Sequence, residues 1–308
     1  LAAEGRWGDA DAIARALAAA RARLLAARSE RVPPSRDEKV ITAWNGMMIG
    51  AFAQAGAALG EPAWVAAAAR AARFVERHLV AEDGRLRRYF KDGPASVRGF
   101  LDDYVYFAQG LIELYRATFD RGYLERAIHW MQRACELFWD EAGSGFFTTD
   151  HDEILHRPKD LFDESVPSAN AVAASNLLRL ADVADGSPFR ERAEALLSAA
   201  AGLMRHGWGT AALIAAYDLC ARGLWDVVIV RGAADQGEAL FRPLQEGYWP
   251  YANLYVIDAE PPQPPLLWQE KRARDGKATG YVCRAFSCSA PVTEWDALRP
   301  LIAVSPQA

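Results

Sequence analysis

Two kinds of helical segment alternate along the first 222 residues, and this alternation constrains the fold more than any other feature. One kind is amphipathic, with an apolar face and a charged face, and it recurs at roughly 10–30, 62–80, 121–139 and 188–206. The other kind is apolar on nearly every side, at roughly 38–59, 101–119, 169–184 and 208–222. An amphipathic helix keeps one side in water, whereas a helix that is apolar all round is enclosed by protein.

Outer helices that alternate strictly with inner helices describe a double ring of helical hairpins. Only four outer–inner pairs are visible, so we predict a mainly α fold that holds part of an (α/α)6 toroid. The pattern changes after Arg222, where WDVVIVRG predicts a buried strand, QGEALFRPLQ a helix and ANLYVIDA a second strand. We therefore expect a toroid part at 1–222 and a small β-α-β appendage with a packed tail at 223–308.

Composition excludes several classes of function. A net charge of −5, with Lys and Arg spread along the chain, argues against nucleic acid as a partner. No apolar run is long enough to span a bilayer, and the N-terminal segment lacks a signal-peptide pattern. Four cysteines without a CxxC pair favour a reducing compartment. We expect a cytoplasmic protein with no membrane partner.

The connections between helices predict where a ligand binds. Every outer-to-inner connection must lie at the same end of the toroid, and two of these connections, 81–100 and 141–167, are long. The inner-to-outer connections are short. Long ordered loops between helices usually carry function. We therefore predict a ligand funnel at the N-terminal ends of the inner helices.

Five segments resemble a known family: DEKVITAWNGMMI, FLDDYVYFAQGLIELY, GFFTTD, RPKDLFDESVPSANAVAASNLLRL and YVCRAFSCSAP. It is the thioredoxin-domain-containing family that includes spermatogenesis-associated protein 20. The resemblance implies a helical domain of the six-hairpin glycosidase type, similar to sugar epimerases and unsaturated glucuronyl hydrolases. It also implies that the chain begins inside that domain, without the thioredoxin-like domain that precedes it, and it suggests a role in carbohydrate metabolism.

Polar residues at the first turns of two inner helices are candidates for the site. Trp44 could stack on a sugar ring and Asn45 could bind hydroxyl groups, or both could belong to the core. Asp102 and Asp103 begin the next inner helix, where adjacent side chains diverge by about 100°. One of them therefore caps the helix. We assign the catalytic role to Asp103, beside Tyr104, and treat Asp102 and Tyr104 as substrate-binding.

A charged cluster crowds the loop before the third inner helix: Arg157, Lys159, Asp160 and Asp163. It suits either a polar ligand or a loop held together by its own salt bridges. In the first case Arg157 and Lys159 hold anionic groups, Asp160 also contacts the substrate, and Asn170 orients it. Ser168 is expected to cap the helix, since no histidine lies nearby in sequence to activate it as a nucleophile.

The chemistry of these groups leaves two enzyme classes open. Glycoside cleavage needs two carboxyl groups across the scissile bond, which Asp103 with Asp163 or Asp37 would supply. Sugar epimerisation favours inward-facing histidines as acid and base. The five histidines fall on outer helices, on a loop or at a helix end, which weakens the epimerase interpretation: His78, His129, His151, His156 and His206.

Cys283 and Cys288 are spaced C-x4-C with no further metal ligands nearby, so we predict no metal site. They are either buried or occasionally oxidised thiols, or redox contacts of the missing thioredoxin-like domain. RGAADQG has too few glycines for a dinucleotide fingerprint, and no cofactor is expected. The first functional hypothesis is a carbohydrate-active toroid that binds a sugar or sugar acid. The alternative is a non-catalytic docking or scaffold module for a thioredoxin-like domain, in redox or protein quality control.

Overall fold

The structure, a computed structural model, describes residues 9–151, 155–205, 207–233, 235–258 and 263–303. His206 lies outside these ranges. The chain divides into two compact units, 1–39 and 40–308. The first contains helix α1 (Ala10–Ser29), which begins after Asp9, whose side chain accepts a hydrogen bond from the backbone N–H of Asp11.

The second unit begins with an arc of helical hairpins. Its helices are α2 (Thr42–Leu59), α3 (Pro62–His78), α4 (Leu101–Thr118), α5 (Arg121–Phe138), α6 (Ala169–Leu180), α7 (Phe189–Ala199), α8 (Ala201–Met204) and α9 (Ala211–Arg222). Along the arc α2 packs on α4, α4 on α6, and α6 on α9. Helices α3, α5 and α7 pack against α2, α4 and α6 from outside. From α2 onward the inner and outer helices alternate as the sequence predicts, whereas α1, predicted as the first outer helix, belongs to the first unit and has no buried residue.

Burial separates the two sets of helices. Ten of the 12 residues of α6 are buried. On the outer helix α5 the buried residues recur at spacings of three and four and occupy one face. The predicted mainly α fold, with hairpins forming part of a toroid, is therefore confirmed. None of the helices within the described residues is long and apolar enough to cross a membrane.

Several helix boundaries differ from the predicted ones by a few residues, and two of these differences change the elements themselves. The second predicted helix starts four residues late, because Val40–Ile41 form strand β1, which pairs antiparallel with β2 (Tyr89–Phe90). The segment predicted as one helix at 188–206 is divided into α7 and α8 at Ala200. Both differences involve helix ends, where local pairing competes with the helix.

The C-terminal part is the predicted β-α-β unit with an added hairpin. It contains β3 (Trp225–Val230), α10 (Glu238–Glu246), β4 (Ala252–Ile257), β5 (Thr279–Arg284), β6 (Ser287–Cys288) and α11 (Trp295–Ala303). The strand order is β4-β3-β5-β6, with β3 and β4 parallel and β5 antiparallel to β3. Side chains alternate between the two faces of the sheet. Val228 and Val230 join the core of the helical arc, whereas Val227 and Ile229 share a second core with α10 and α11.

Candidate functional site

Asp103 holds the N-terminal ends of two inner helices together. Its side chain has no exposed surface, and its Oδ1 accepts a hydrogen bond of 2.9 Å from the backbone N–H of Ala43. Its Oδ2 accepts bonds from the backbone N–H of Phe100, at 2.9 Å, and from the Arg88 guanidinium, at 3.0 Å. Burial, with the nearby charge of Asp102, raises the pKa of Asp103 to about 7, although Arg88 opposes the shift. These contacts join the first turns of α2 and α4.

The side chain of Asp102 is partly exposed to solvent, unlike that of Asp103. Its side chain is 28% exposed, and both of its oxygens lie 2.6 Å from Nη1 of Arg88. The guanidinium of Arg88 also lies over the Phe100 ring, 5.3 Å from its centroid. Of the two adjacent acids, Asp102 is therefore the one that a ligand can approach. The catalytic role assigned to Asp103 stays a prediction that its burial disfavours.

Tyr106 lies one helical turn after Asp102 and marks where several acids converge. Its ring is buried, and its hydroxyl donates a 2.5 Å hydrogen bond to the carbonyl of Pro167, just before α6. Burial raises the pKa of Tyr106 above its ordinary value, and three nearby carboxylates raise it further: Asp102, Asp160 and Asp163. We call Asp102, Asp160 and Tyr106 the acid mouth.

Asp160 brings a second carboxyl group to the acid mouth from the loop before α6. Its side chain reaches solvent, yet the surrounding protein raises its pKa. The charges of Glu164, Asp102 and Asp163 raise the pKa further, while the backbone N–H of Phe162 opposes them. Asp160 is therefore protonated more readily than an isolated aspartate.

Three other predicted site residues hold the loop and the helix starts in place. Asp163 accepts hydrogen bonds from the backbone N–H groups of Ser168, at 2.8 Å, and Ala212, at 2.9 Å, and so joins the starts of α6 and α9. Ser168 caps α6, as the sequence predicts, and its hydroxyl also donates to the Asp160 carbonyl. Asn170 is fully buried and donates to the same carbonyl at 2.9 Å. The backbone of Asp160 is thereby fixed.

The two predicted cations bond the loop to itself. Arg157 donates from Nε to the Thr149 carbonyl at 3.0 Å and lies over the Phe147 ring, 4.2 Å from its centroid. Lys159 pairs with Asp140 at 2.6 Å. The sequence leaves open whether this charged cluster binds a polar ligand or holds its own loop together. These contacts correspond to the second alternative.

The remaining candidates occupy different environments. Trp44 is 59% exposed, whereas Asn45 donates to the Ile41 carbonyl at 2.8 Å, one turn back in the chain. Tyr104 is buried, and its hydroxyl accepts a bond from the backbone N–H of Leu86. Asp37 belongs to the first unit, in which it accepts bonds from the backbone and the amine of Lys39.

The sequence prediction missed Arg88, Tyr106 and Phe162, an exposed aromatic residue of the loop before α6. Sequence reasoning could have found Tyr106, because it follows Asp102 by four residues and residues four apart in a helix lie on the same face. It could not have found Arg88, since Arg88 reaches Asp102 from the middle of the long connection before α4, 14 residues earlier in the chain. Exposed apolar side chains also form a stripe along α2, at spacings of four: Trp44, Met48 and Phe52.

Cys283 and Cys288 form a disulfide across the β5–β6 hairpin, where they are register partners. The sequence left them open as thiols that oxidise occasionally, and the structure pairs them. Cys135 and Cys220 are free thiols. Within the described ranges, no group of three or more His, Cys, Asp or Glu side chains is arranged to hold a metal ion.

The second unit thus contains an arc of helical hairpins with carboxyl groups gathered at the N-terminal ends of its inner helices. No protein-family model matches the chain. Spermatogenesis-associated protein 20 from Homo sapiens is 33% identical over 284 residues, which cover 86% of this chain and 36% of that protein. The Mus musculus protein of that name is 32% identical over 283 residues. The chain is therefore related to spermatogenesis-associated protein 20 over most of its own length, which confirms the resemblance, and it spans 36% of the length of those relatives.

Solved structures resemble parts of the helical arc. An α-mannanase from Bacteroides thetaiotaomicron has a TM-score of 0.47 at 16% identity, covering 61% of this chain and 53% of that one. The unsaturated glucuronyl hydrolase from Bacillus sp. GL1 has a TM-score of 0.46 at 18% identity, covering 63% of each chain. Cellobiose 2-epimerase from Bacillus thermoamylovorans has a TM-score of 0.45 at 16% identity, covering 54% of this chain and 45% of that one. Likenesses of this size concern the path of the helices and carry no information about a ligand.

Proposed function

We propose that the protein binds a sugar or sugar acid at the acid mouth and acts on it by acid–base chemistry. The observation that carries the proposal is the convergence of Asp102 and Asp160 around Tyr106, from two different elements, at an accessible surface. Two carboxyl groups in different environments are the usual equipment for cleaving a glycosidic bond.

The two carboxyl groups have distinct roles in this proposal. Asp160 is the general acid, because its surroundings raise its pKa above that of an ordinary aspartate. Asp102 is the carboxylate that acts as base or stabilises positive charge, since Arg88 donates hydrogen bonds to both of its oxygens and holds them in place. Asp103 and Asn170 are positioning residues that hold these two groups in place.

Aromatic side chains supply the binding surface. Trp44 lies in the first turn of α2, two residues before Gly46, which touches the backbone of Tyr106. Phe162 follows Asp160 by two residues and is 49% exposed. Aromatic faces of this kind stack on the apolar faces of sugar rings, while the carboxylates accept bonds from hydroxyl groups.

Three variants test the proposal: Asp160→Asn, Asp102→Asn and Trp44→Ala. Binding to a panel of mono- and disaccharides is measured by calorimetry, and turnover by reducing-sugar release and by NMR of the sugar. Asp160→Asn should retain binding and lower turnover by a factor of about 10² to 10⁴, the usual contribution of a general acid. Trp44→Ala should weaken binding.

Asp258→Asn is the matched control, because Asp258 is an exposed aspartate whose pair with Arg231 contributes little. Equal turnover in Asp160→Asn, Asp258→Asn and the parent chain would remove the assigned chemistry. If no sugar binds at all, the carbohydrate proposal fails. The docking alternative would then be favoured, with the apolar stripe on α2 covered by a protein partner.

A further inference from the structure

A separate cavity lies at the opposite end of the inner helices from the acid mouth. It is formed by the C-terminal halves of α2, α4 and α6 and closed by α10 and the segment that leads into β4, and its volume is about 470 Å³. This volume is typical of a small-molecule site. Its polar lining comes mainly from the three inner helices: Gln54, Gln109, Glu113, Arg116, Ser175 and Arg179.

Two arginines and two glutamates line this cavity, but only one of the arginines is ion-paired within the described residues: the second glutamate, Glu246, is exposed and forms no salt bridge with either arginine. Arg116 faces Glu113 across one turn of α4, with long contacts of 3.3 and 3.4 Å. Arg179 of α6 donates only to neutral acceptors, the side-chain oxygen of Asn253 at 3.3 Å and the carbonyl of Pro250 at 3.0 Å. Among the residues that the structure describes, no carboxylate forms an ion pair with Arg179. Glu113 is therefore paired with Arg116, whereas Arg179 has only neutral partners in the described part of the chain.

The environment of Arg179 makes its lack of a carboxylate partner costly. Burial, and then the positive charge of Arg116, lower the pKa of Arg179, while Glu113 opposes the shift. A guanidinium stays charged in a protein, so the cost falls on the folded state until an anion compensates it. A ligand carboxylate between the two arginines would accept charge-assisted hydrogen bonds from both.

We propose that this cavity binds a small hydroxylated carboxylate, the size of a monosaccharide acid, with its carboxylate between Arg116 and Arg179. Because Arg179 is the one of these two arginines that lacks a carboxylate partner among the described residues, a ligand with one negative charge suffices. The amides of Gln54 and Gln109 and the hydroxyl of Ser175 line the same space and provide partners for hydroxyl groups. Glu113 competes with the ligand for Arg116. This site does not depend on the acid mouth.

The competition gives two variants with opposite effects. Arg116→Gln removes a cation and should weaken binding of D-glucuronate by about tenfold or more. Glu113→Gln removes the competing carboxylate and should tighten it several-fold. A residue that only maintains the structure would not give opposite signs. Arg179 is left unchanged because it also holds Asn253 and the start of β4.

Binding is measured by calorimetry at low salt with D-glucuronate, D-glucose, inorganic phosphate and D-glucose 6-phosphate. Arg70→Gln, on the exposed side of α3, is the matched control and should bind as the parent chain does. Circular dichroism before each titration confirms that the variants are folded. Comparison with Asp102→Asn separates the two sites: affinity for glucuronate that is lost in Arg116→Gln belongs to this cavity, whereas affinity that is lost in Asp102→Asn belongs to the acid mouth.

Absence of glucuronate binding, or equally tight binding of glucose, would overturn the proposal. Phosphate binding as tight as glucuronate binding would overturn the role assigned to the hydroxyl groups. Glucose 6-phosphate binding more tightly than glucuronate would overturn the choice of a monoanion. If Arg116→Gln and Glu113→Gln change affinity in the same direction, the assigned competition is wrong.

Discussion

Helices α2 and α4 approach so closely that a single methyl group at their contact should destabilise the fold. A Cβ added at Gly46 would lie 2.5 Å from the carbonyl carbon of Tyr106, whereas ordinary van der Waals contact begins at 3.4 Å. The two backbones would have to separate by roughly 0.9 Å, the difference between these distances. The obstructing atoms belong to the backbone, so no side-chain rotation relieves the clash.

The magnitude follows from two opposing effects. Overpacking of this kind costs about 1–3 kcal/mol, and a rigid backbone neighbour puts Gly46→Ala at the upper end. Alanine in place of glycine inside a helix stabilises the folded state by about 1 kcal/mol. We therefore expect Gly46→Ala to lower the free energy of unfolding by about 2 kcal/mol.

Gly50, one turn later in α2, is the matched control. A Cβ at Gly50 would lie 3.6 Å from the nearest atom, an ordinary contact, so Gly50→Ala should raise the free energy of unfolding by about 0.5–1 kcal/mol. Urea unfolding followed by circular dichroism at 222 nm measures both variants against the parent chain. The reasoning is refuted if Gly46→Ala is as stable as Gly50→Ala.

Two further predictions concern buried titration and thiol chemistry. Burial raises the pKa of Asp226 to about 8; the charge of Asp182 adds to this shift, and the hydrogen bond from Asn253 opposes it. Between about pH 4 and 8 the folded chain therefore holds a proton on Asp226 that the unfolded chain has lost. The free energy of unfolding should therefore fall as pH rises through this window, and it should fall less in Asp226→Asn. Urea unfolding at pH 5 and pH 8 measures both proteins, and an equal fall in both would contradict this prediction. Because Cys283 and Cys288 form a disulfide, a thiol reagent should detect two thiols in the denatured chain before reduction and four after reduction. Four thiols before reduction would show that the disulfide is absent.

Much of the fold follows from local pattern. Helix α5 buries residues at spacings of three and four, and β3 alternates between two cores, so periodicity alone indicates both elements. The β5–β6 hairpin was not predictable in this way. Its two turn residues, Ala285 and Phe286, have φ angles of 47° and 63°, a conformation that normally requires Gly or Asn. Because the sequence has neither Gly nor Asn at this turn, nothing in it indicated that Cys283 and Cys288 would be partners.

The candidate site shows where sequence reasoning stops. The 100° between Asp102 and Asp103 implies that only one of them faces the mouth, but the rotation of α4 about its axis decides which. That rotation depends on tertiary contacts, namely the bonds of Asp103 to Ala43 and of Asp102 to Arg88. The helix pattern contains neither contact.

The bonds of Asp103 also have a consequence for how the protein moves. One carboxylate ties the leading turns of α2 and α4, so these ends cannot part without stripping a buried acid of its donors. Because the backbone of Asp160 is held as well, any widening of this entrance must come from the side chains of the opposite rim, Asp160 and Phe162. Half of the entrance is therefore rigid, and substitutions at the exposed side chains of the other half can change its shape without disturbing the contacts of Asp103.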